Sequence, residues 1–499
     1  MEQVYLHFPI LQVLIPLLLA PICVLVARST FSWLITFFGS VSSLVIAISL
    51  LHSVSDGSSI SYHIGGWPPP IGIEYVVDSA NAFLLVLVSG ISTVVLLYAR
   101  DQIKLEIDEE NHTLFYTCYL LCLTGLLGVL ITGDVFNVFV FLEISSLSTY
   151  VLVAQGSKRD KRALKAAFNY LIMGTVGATF FVIGVEFLYM ATGTLNMLDI
   201  YERINDLESS RTVRAAYAFI VIGMGLKLAM FPMHLWMPGA YTYAPTVVTT
   251  FLSATATKVS LYVLIRFTFS VFHFDFNFIE QVFKFLVMPL AIIAMFAMSF
   301  VAIFQKDIKR MLAYSSIAQI GYMLLGVSLL SAEGLTATFV NLFNHGITKA
   351  TLFMSLGVLT LYSGKSFLSD VQGLGKKMPW ISASFLIGGL SLVGIPGTAG
   401  FISKWLLVQA TIEAGVPILA LLIILSSLLA IVYVWKVIEH LYFMEPHSEL
   451  ASQKVSFRIL IPLWILSLSC LYWGFDTSLT VGTSDIAANN LFNNVIKLN

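Results

Sequence analysis

LTATFVNLFNHGITKATLFMSLGVLTL (335–361) is a mostly apolar run, yet it holds Asn341, His345 and Lys349. At 1.5 Å rise per residue a helix of this length reaches about 40 Å, more than the roughly 30 Å hydrocarbon core of a bilayer. The three polar residues fall at i, i+4 and i+8, and this spacing predicts that they point from one helical face into one channel. A histidine in such a place suits a relay, because its ordinary pKa of about 6.5 lets it take and give a proton near neutrality.

Outward from this segment the same apolar character recurs along the chain. Hydropathy predicts about fourteen spans, at 8–27, 31–52, 76–99, 114–132, 135–154, 166–190, 213–232, 245–270, 281–304, 311–330, 335–361, 380–412, 416–437 and 457–475. With 58% hydrophobic and 11% charged residues over 499 positions, the composition lies far from the roughly 45–50% and 25% of soluble domains. An all-α polytopic membrane protein is expected, a single transmembrane domain in the lipid bilayer. No expected loop is long enough to build a soluble catalytic domain. A formal charge of −1 without a basic cluster argues against nucleic acid. Cys23, Cys118, Cys122 and Cys470 lie inside apolar runs and read as small core residues, so neither metal nor cofactor is expected. The first run lacks a basic leader and a small-residue cleavage site, and is expected to be a retained span.

Lysine and arginine sort between the two sets of alternating loops as 17 against 6. The positive-inside rule then predicts a multi-pass protein of the bacterial inner membrane with both termini outside. Four lysines belong to neither set: Lys227, Lys258, Lys349 and Lys404 lie within spans 7, 8, 11 and 12, and Glu143 lies within span 5. Each charge at mid-bilayer costs about 2.5–3.5 kcal/mol on insertion scales. One glutamate cannot neutralise four lysines, so some must be neutral, hydrated or alternately protonated, which is the condition for carrying protons. The alternative for Glu143 and one lysine is a buried ion pair that fixes helix packing. Gln319, Ser315, Ser316, Thr255 and Thr257 are polar enough to hold water or to bond between helices. Asp134 and Glu186, near outer span ends, read as ion-entry groups or as ordinary helix ends.

Helix breakers accompany two of the lysines. Pro232 follows Lys227, and Pro396, with Gly394, Gly397 and Gly400, precedes Lys404. A proline removes a backbone hydrogen bond, and in lipid the freed carbonyl must be met by water or protein. Broken helices at matching positions point to transporter repeats. The expected organisation is helices 1–3 (1–99), a first five-helix repeat (114–270), an inverted second repeat (281–440) and helix 14 (457–475).

Six motifs add a family resemblance: GDVFNVFVFLEISSLSTYVL (133–152), PMHLWMP (232–238), APTVVTTFLSATATKVSLYVLIR (244–266), KRMLAYSSIAQIGYMLLG (309–326), NHGITKATLF (344–353) and GIPGTAGFISKW (394–405). Together, from about residue 75 to 440, they resemble the antiporter-like subunits of Mrp-type sodium/proton antiporters, respiratory complex I and membrane-bound hydrogenases. The wording around Glu143 is most similar to the MrpD members of the Mrp antiporters, with Met233 a departure from the family's usual phenylalanine. The resemblance implies a glutamate–lysine pair, Glu143 and Lys227, then Lys258, His345 with Lys349, and a terminal Lys404. It implies partner subunits in a membrane complex, with protons relayed here and sodium moved through the complex. The alternatives are a proton-pumping subunit of a redox enzyme and a subunit whose buried charges only pack helices.

Overall fold

The computed structural model describes residues 5–445 and 455–492. The chain ends, and Lys454 and Lys497 of the loop comparison, lie outside the described residues. The chain is a multi-pass helical membrane protein. Eleven helices among the described residues are long and apolar enough to cross a membrane. The expected spans outside that set are 7, 11 and 12, which carry Lys227, His345 with Lys349, and Lys404. Span 7 is Arg211–Leu228 followed by the short Trp236–Tyr243 helix, span 11 is the unbroken Ala332–Ser363 helix, and span 12 is Pro379–Val393 followed by Ala399–Glu413.

Local chemistry sets the starts of several helices. Asp78 and Asn81 form a reciprocal capping box at the start of Ser79–Glu106, with N···O distances of 3.0 and 2.9 Å. Asp134 accepts from the Asn137 amide at 2.7 Å and caps Val135–Ala154, so the first of the two acids singled out at outer ends has a structural task. Glu186 is exposed.

Ala332–Ser363 is the central element. Every residue from Gly334 to Thr360 is buried, against Ile308–Ser328, Ala399–Glu413, Pro379–Val393, Thr246–Ala254 and Phe457–Phe475. Because protein rather than lipid surrounds it, this helix tolerates polar residues. Two elements were not expected. An antiparallel hairpin, Ile60–His63 with Glu74–Val77, lies between the second and third spans. A further helix, Ser478–Phe492, follows the last expected span and packs on Ala332–Ser363 and Ser79–Glu106.

Candidate functional site

Glu143, on Val135–Ala154, meets Lys227, on Arg211–Leu228, at 3.2 Å. Lys227 Nζ also donates to Ser146 Oγ at 2.7 Å, one turn from Glu143. The lysine side chain is 6% exposed and the glutamate 24%. Directly after Lys227 and Leu228 the helix stops. Ala229 adopts φ +59°, and the amides of Met230 and Ala229 fold back to the carbonyls of Gly225 and Leu226, the Schellman arrangement that normally takes glycine. The Trp236 indole N–H donates to the same Leu226 carbonyl at 2.9 Å. Pro232 thus lies within the break, where an indole from the next helix supplies a second donor to the Leu226 carbonyl. A left-handed alanine costs roughly 1 kcal/mol. Ala229→Gly is therefore expected to raise stability by up to about 1 kcal/mol, visible as a higher midpoint for heat-induced loss of the purified protein.

Lys258 sits beside a break that the sequence did not signal. Span 8, expected as one helix over 245–270, is divided at Thr255 (φ −123°, ψ −59°) into Thr246–Ala254 and Ala256–Arg266. No glycine or proline causes it. The Lys258 ammonium donates to the Ser253 carbonyl, and the Tyr241 hydroxyl donates to that of Leu252 at 3.4 Å. Carbonyls supplied with side-chain donors no longer need the next turn of helix.

On the central helix, Lys349 Nζ donates to the Leu312 carbonyl at 2.8 Å and to Ser315 Oγ at 2.6 Å. His345 is buried, and neither ring nitrogen has a partner among the described residues. It lines a small void of about 10 Å³ with Gln319, Asn341, Thr348, Ser391 and Lys404, close to the space that one water needs. Lys349 does not line this void, which corrects the expectation that all three polar residues of span 11 share one channel. Each four-residue step turns the helix by about 40° beyond a full turn, so two steps carry Lys349 round to the neighbouring helix.

Lys404 closes the constellation at the second predicted break. Pro379–Val393 ends with Gly394 at φ +87°, whose amide, with that of Ile395, returns to the Leu390 carbonyl. The Lys404 ammonium donates to the carbonyls of Leu392 (3.3 Å) and Val393 (2.6 Å) and to the Ser427 hydroxyl, 5.2 Å above the Tyr322 ring. Pro396 is exposed; the turn at Gly394 and the Lys404 ammonium hold the break. Gly400 lets the two halves touch, since a Cβ there would lie 1.8 Å from the Ser391 carbonyl. Gly400→Ala is expected to force the halves apart and lower the amount of assembled protein several-fold, read by quantifying it in membranes.

Lys258, Lys349 and Lys404 thus share one chemistry. Each is held by backbone carbonyls and hydroxyls, with no carboxylate in ion-pair contact among the described residues. Such acceptors take a hydrogen bond from an ammonium or from a neutral amine. They hold the nitrogen in place without fixing its charge. Lys227 alone has a carboxylate. Among the described residues no group of three or more His, Cys, Asp or Glu is placed to hold a metal ion.

The NADH:quinone oxidoreductase/Mrp antiporter transmembrane family matches residues 132–430, more than half of the chain. The chain belongs to this antiporter family. NADH-quinone oxidoreductase subunit N of Desulforudis audaxviator is 39% identical over 87% of this chain and 86% of that protein. The D-type Na(+)/H(+) antiporter subunit of Alkalihalophilus pseudofirmus is 29% identical over 93% of each. A chain in the structure of the Mrp complex from Dietzia sp. DQ12-45-1b shares the fold, with a TM-score of 0.90 and 24% identity over 99% of this chain and 98% of that one. The family resemblance read from the six motifs is borne out.

Within this antiporter-family chain, some contacts of the site had no signal in sequence. Ser146 and Ser427 look like ordinary span serines until their hydroxyls are seen to take the ammonium groups of Lys227 and Lys404. Lys309, counted with the loops, is buried at the start of Ile308–Ser328. Its signal was its place two residues after the capping Asp307, inside the first helical turn.

Proposed function

We propose that this chain is the proton-translocating subunit of a multisubunit monovalent cation (sodium)/proton antiporter of the Mrp type. Protons pass along Glu143, Lys227, Lys258, His345, Lys349 and Lys404; sodium moves through the complex that the partner subunits complete. One observation carries the reading: among the described residues, three buried lysines are held only by neutral acceptors, with an unpartnered histidine beside the last of them. A set meant to pack helices needs paired charges, because an unpaired buried charge is destabilising. This one can change protonation without losing its hydrogen bonds. The two broken spans, each ending in the same fold-back of amides, support two inverted five-helix repeats at 114–270 and 281–440. The loop asymmetry supports a bacterial inner membrane with both termini outside. On this reading the chain is a transporter subunit and not itself an enzyme.

A second reading, a proton-pumping subunit of a redox complex, is favoured by the higher identity to the Desulforudis oxidoreductase relative than to the Alkalihalophilus antiporter relative. Purification of the native complex, followed by identification of its partners and flux assays in vesicles, separates the two. Sodium-dependent proton movement without an electron donor supports the antiporter. Proton movement only during quinone reduction supports the redox complex and overturns the first reading.

A further inference from the structure

A cavity of about 380 Å³ opens on the side that carries the Lys- and Arg-rich loops, with Glu106, Arg159, Asp307 and Lys309 in its wall. Most of its charges are already engaged. Arg159 pairs with Glu106 at 2.6 Å, and Asp307 caps Ile308–Ser328 and accepts from Ser366 Oγ at 2.9 Å. These engagements argue against a site for a bound anion. Lys309 differs: it is 7% exposed, and its ammonium donates to the Ala244 carbonyl at 3.3 Å, with no ion pair among the described residues. Like Lys258, Lys349 and Lys404 it is held by a backbone carbonyl, but it shares its wall with the charges of Glu106, Arg159 and Asp307.

From Lys309 a polar seam leads inward. Ala244 precedes Pro245 and the Thr246–Ala254 helix, whose first residue is clasped by Glu106: the carboxylate accepts from Thr246 N at 2.5 Å and from Thr246 Oγ1 at 2.7 Å. Thr246, Thr250 and Ser253 follow at i, i+4 and i+7 along one face. All three are fully buried, and each of the latter two donates to the carbonyl of the one before, at 2.8 and 3.3 Å. The Ser253 carbonyl in turn accepts from Lys258. An independent feature marks the same place. Tyr98 and Gln102 precede Glu106 by eight and four residues on one helical face, and the Tyr98 hydroxyl and Gln102 Oε1 are buried with no partner among the described residues. Buried polar atoms of this kind are ordinarily met by water.

We propose that Lys309, in the wall of this cavity beside Glu106, is the proton-loading residue of the relay, passing protons from cavity water along the Thr246–Ser253 face to Lys258. A proton from cavity water converts the neutral Lys309 amine to an ammonium. That ammonium gives its proton to water beside Glu106, each hydroxyl of the face turns from its carbonyl to pass its own proton on as it accepts the next, the last delivers one to neutral Lys258, and the Lys309 amine is restored. The inference rests on the proton-relay reading above.

The test uses the native complex in vesicles, with proton flux normalised to assembled protein. Lys309→Gln and Lys309→Arg are each expected to lower flux at least tenfold, and Thr250→Val, which removes one hydroxyl at constant shape, several-fold. Lowering the pH on the cavity side should partly restore Lys309→Gln and leave Lys258→Met silent, because only the former lacks just the loading step. Wild-type flux in Lys309→Arg means that the position supplies fixed charge, and overturns the proposal. If Lys258→Met is silent while both Lys309 variants conduct normally, entry lies elsewhere and the relay stands. Normal flux in Lys258→Met sinks the relay itself. Should Lys309→Gln fail to assemble, the arginine and valine variants decide.

Discussion

Glu143→Ala is expected to reduce sodium-linked proton movement to background while the protein still inserts and assembles. The carboxylate lies 3.2 Å from Lys227 in a helix interface, and the only other hydrogen-bond partner of that ammonium among the described residues is the Ser146 hydroxyl. Removing one member of a buried pair costs about 3–5 kcal/mol if the other stays charged. Lys227 escapes that cost by remaining a neutral amine. The fold then survives, but the residue no longer alternates between two protonation states. Glu143→Gln sharpens the test, because the amide keeps the size and one acceptor oxygen but cannot hold a charge, and it should be as inactive as alanine. Normal antiport by the glutamine variant in vesicles would mean that the pair serves packing alone.

Lys404→Arg is expected to block turnover nearly as fully as Lys404→Ala. A relay residue must release its proton in each cycle, and a guanidinium stays protonated under all conditions in which the protein is folded. The geometry makes arginine worse still. The ammonium of Lys404 fits between the Leu392 and Val393 carbonyls and the Ser427 hydroxyl, and a Cβ at Gly394 would lie only 2.9 Å from its Cδ. The planar fork has no room to place its donors there. A third variant, Lys404→Glu, puts a titratable group of opposite charge into the same pocket. Here a carboxylate would face two carbonyl oxygens, acceptor against acceptor, so this variant is also expected to be inactive unless the end of Pro379–Val393 opens. Flux measurements on the three variants at equal assembly decide the matter, and wild-type flux with arginine would place the exit elsewhere.

What the sequence determined by itself was the membrane class, the helical fold and the identity of the costly residues. All three are local properties. In lipid a backbone must satisfy its own hydrogen bonds, so an apolar run of sufficient length becomes a helix whatever surrounds it. A lysine inside such a run is conspicuous for the same reason. The turns at Ala229 and Gly394 were foreshadowed by Pro232 and Pro396 nearby, since breakers act on their own chain. The tertiary structure decided what each of those residues meets. The break at Thr255 has no breaker in its sequence and exists where the Lys258 and Tyr241 side chains supply donors to the carbonyls of Ser253 and Leu252. Lys349 turns to Ser315, and His345 shares a void with Lys404, through contacts between different helices. Lys309 passed for a loop residue because its hydrogen-bond partner, the Ala244 carbonyl, lies 65 positions away in the chain. An apolar pattern records which side of a helix avoids water or lipid, but it carries no label for the helix that will lie against it. The partners, and with them the chemistry of the buried lysines, arise only when the helices pack.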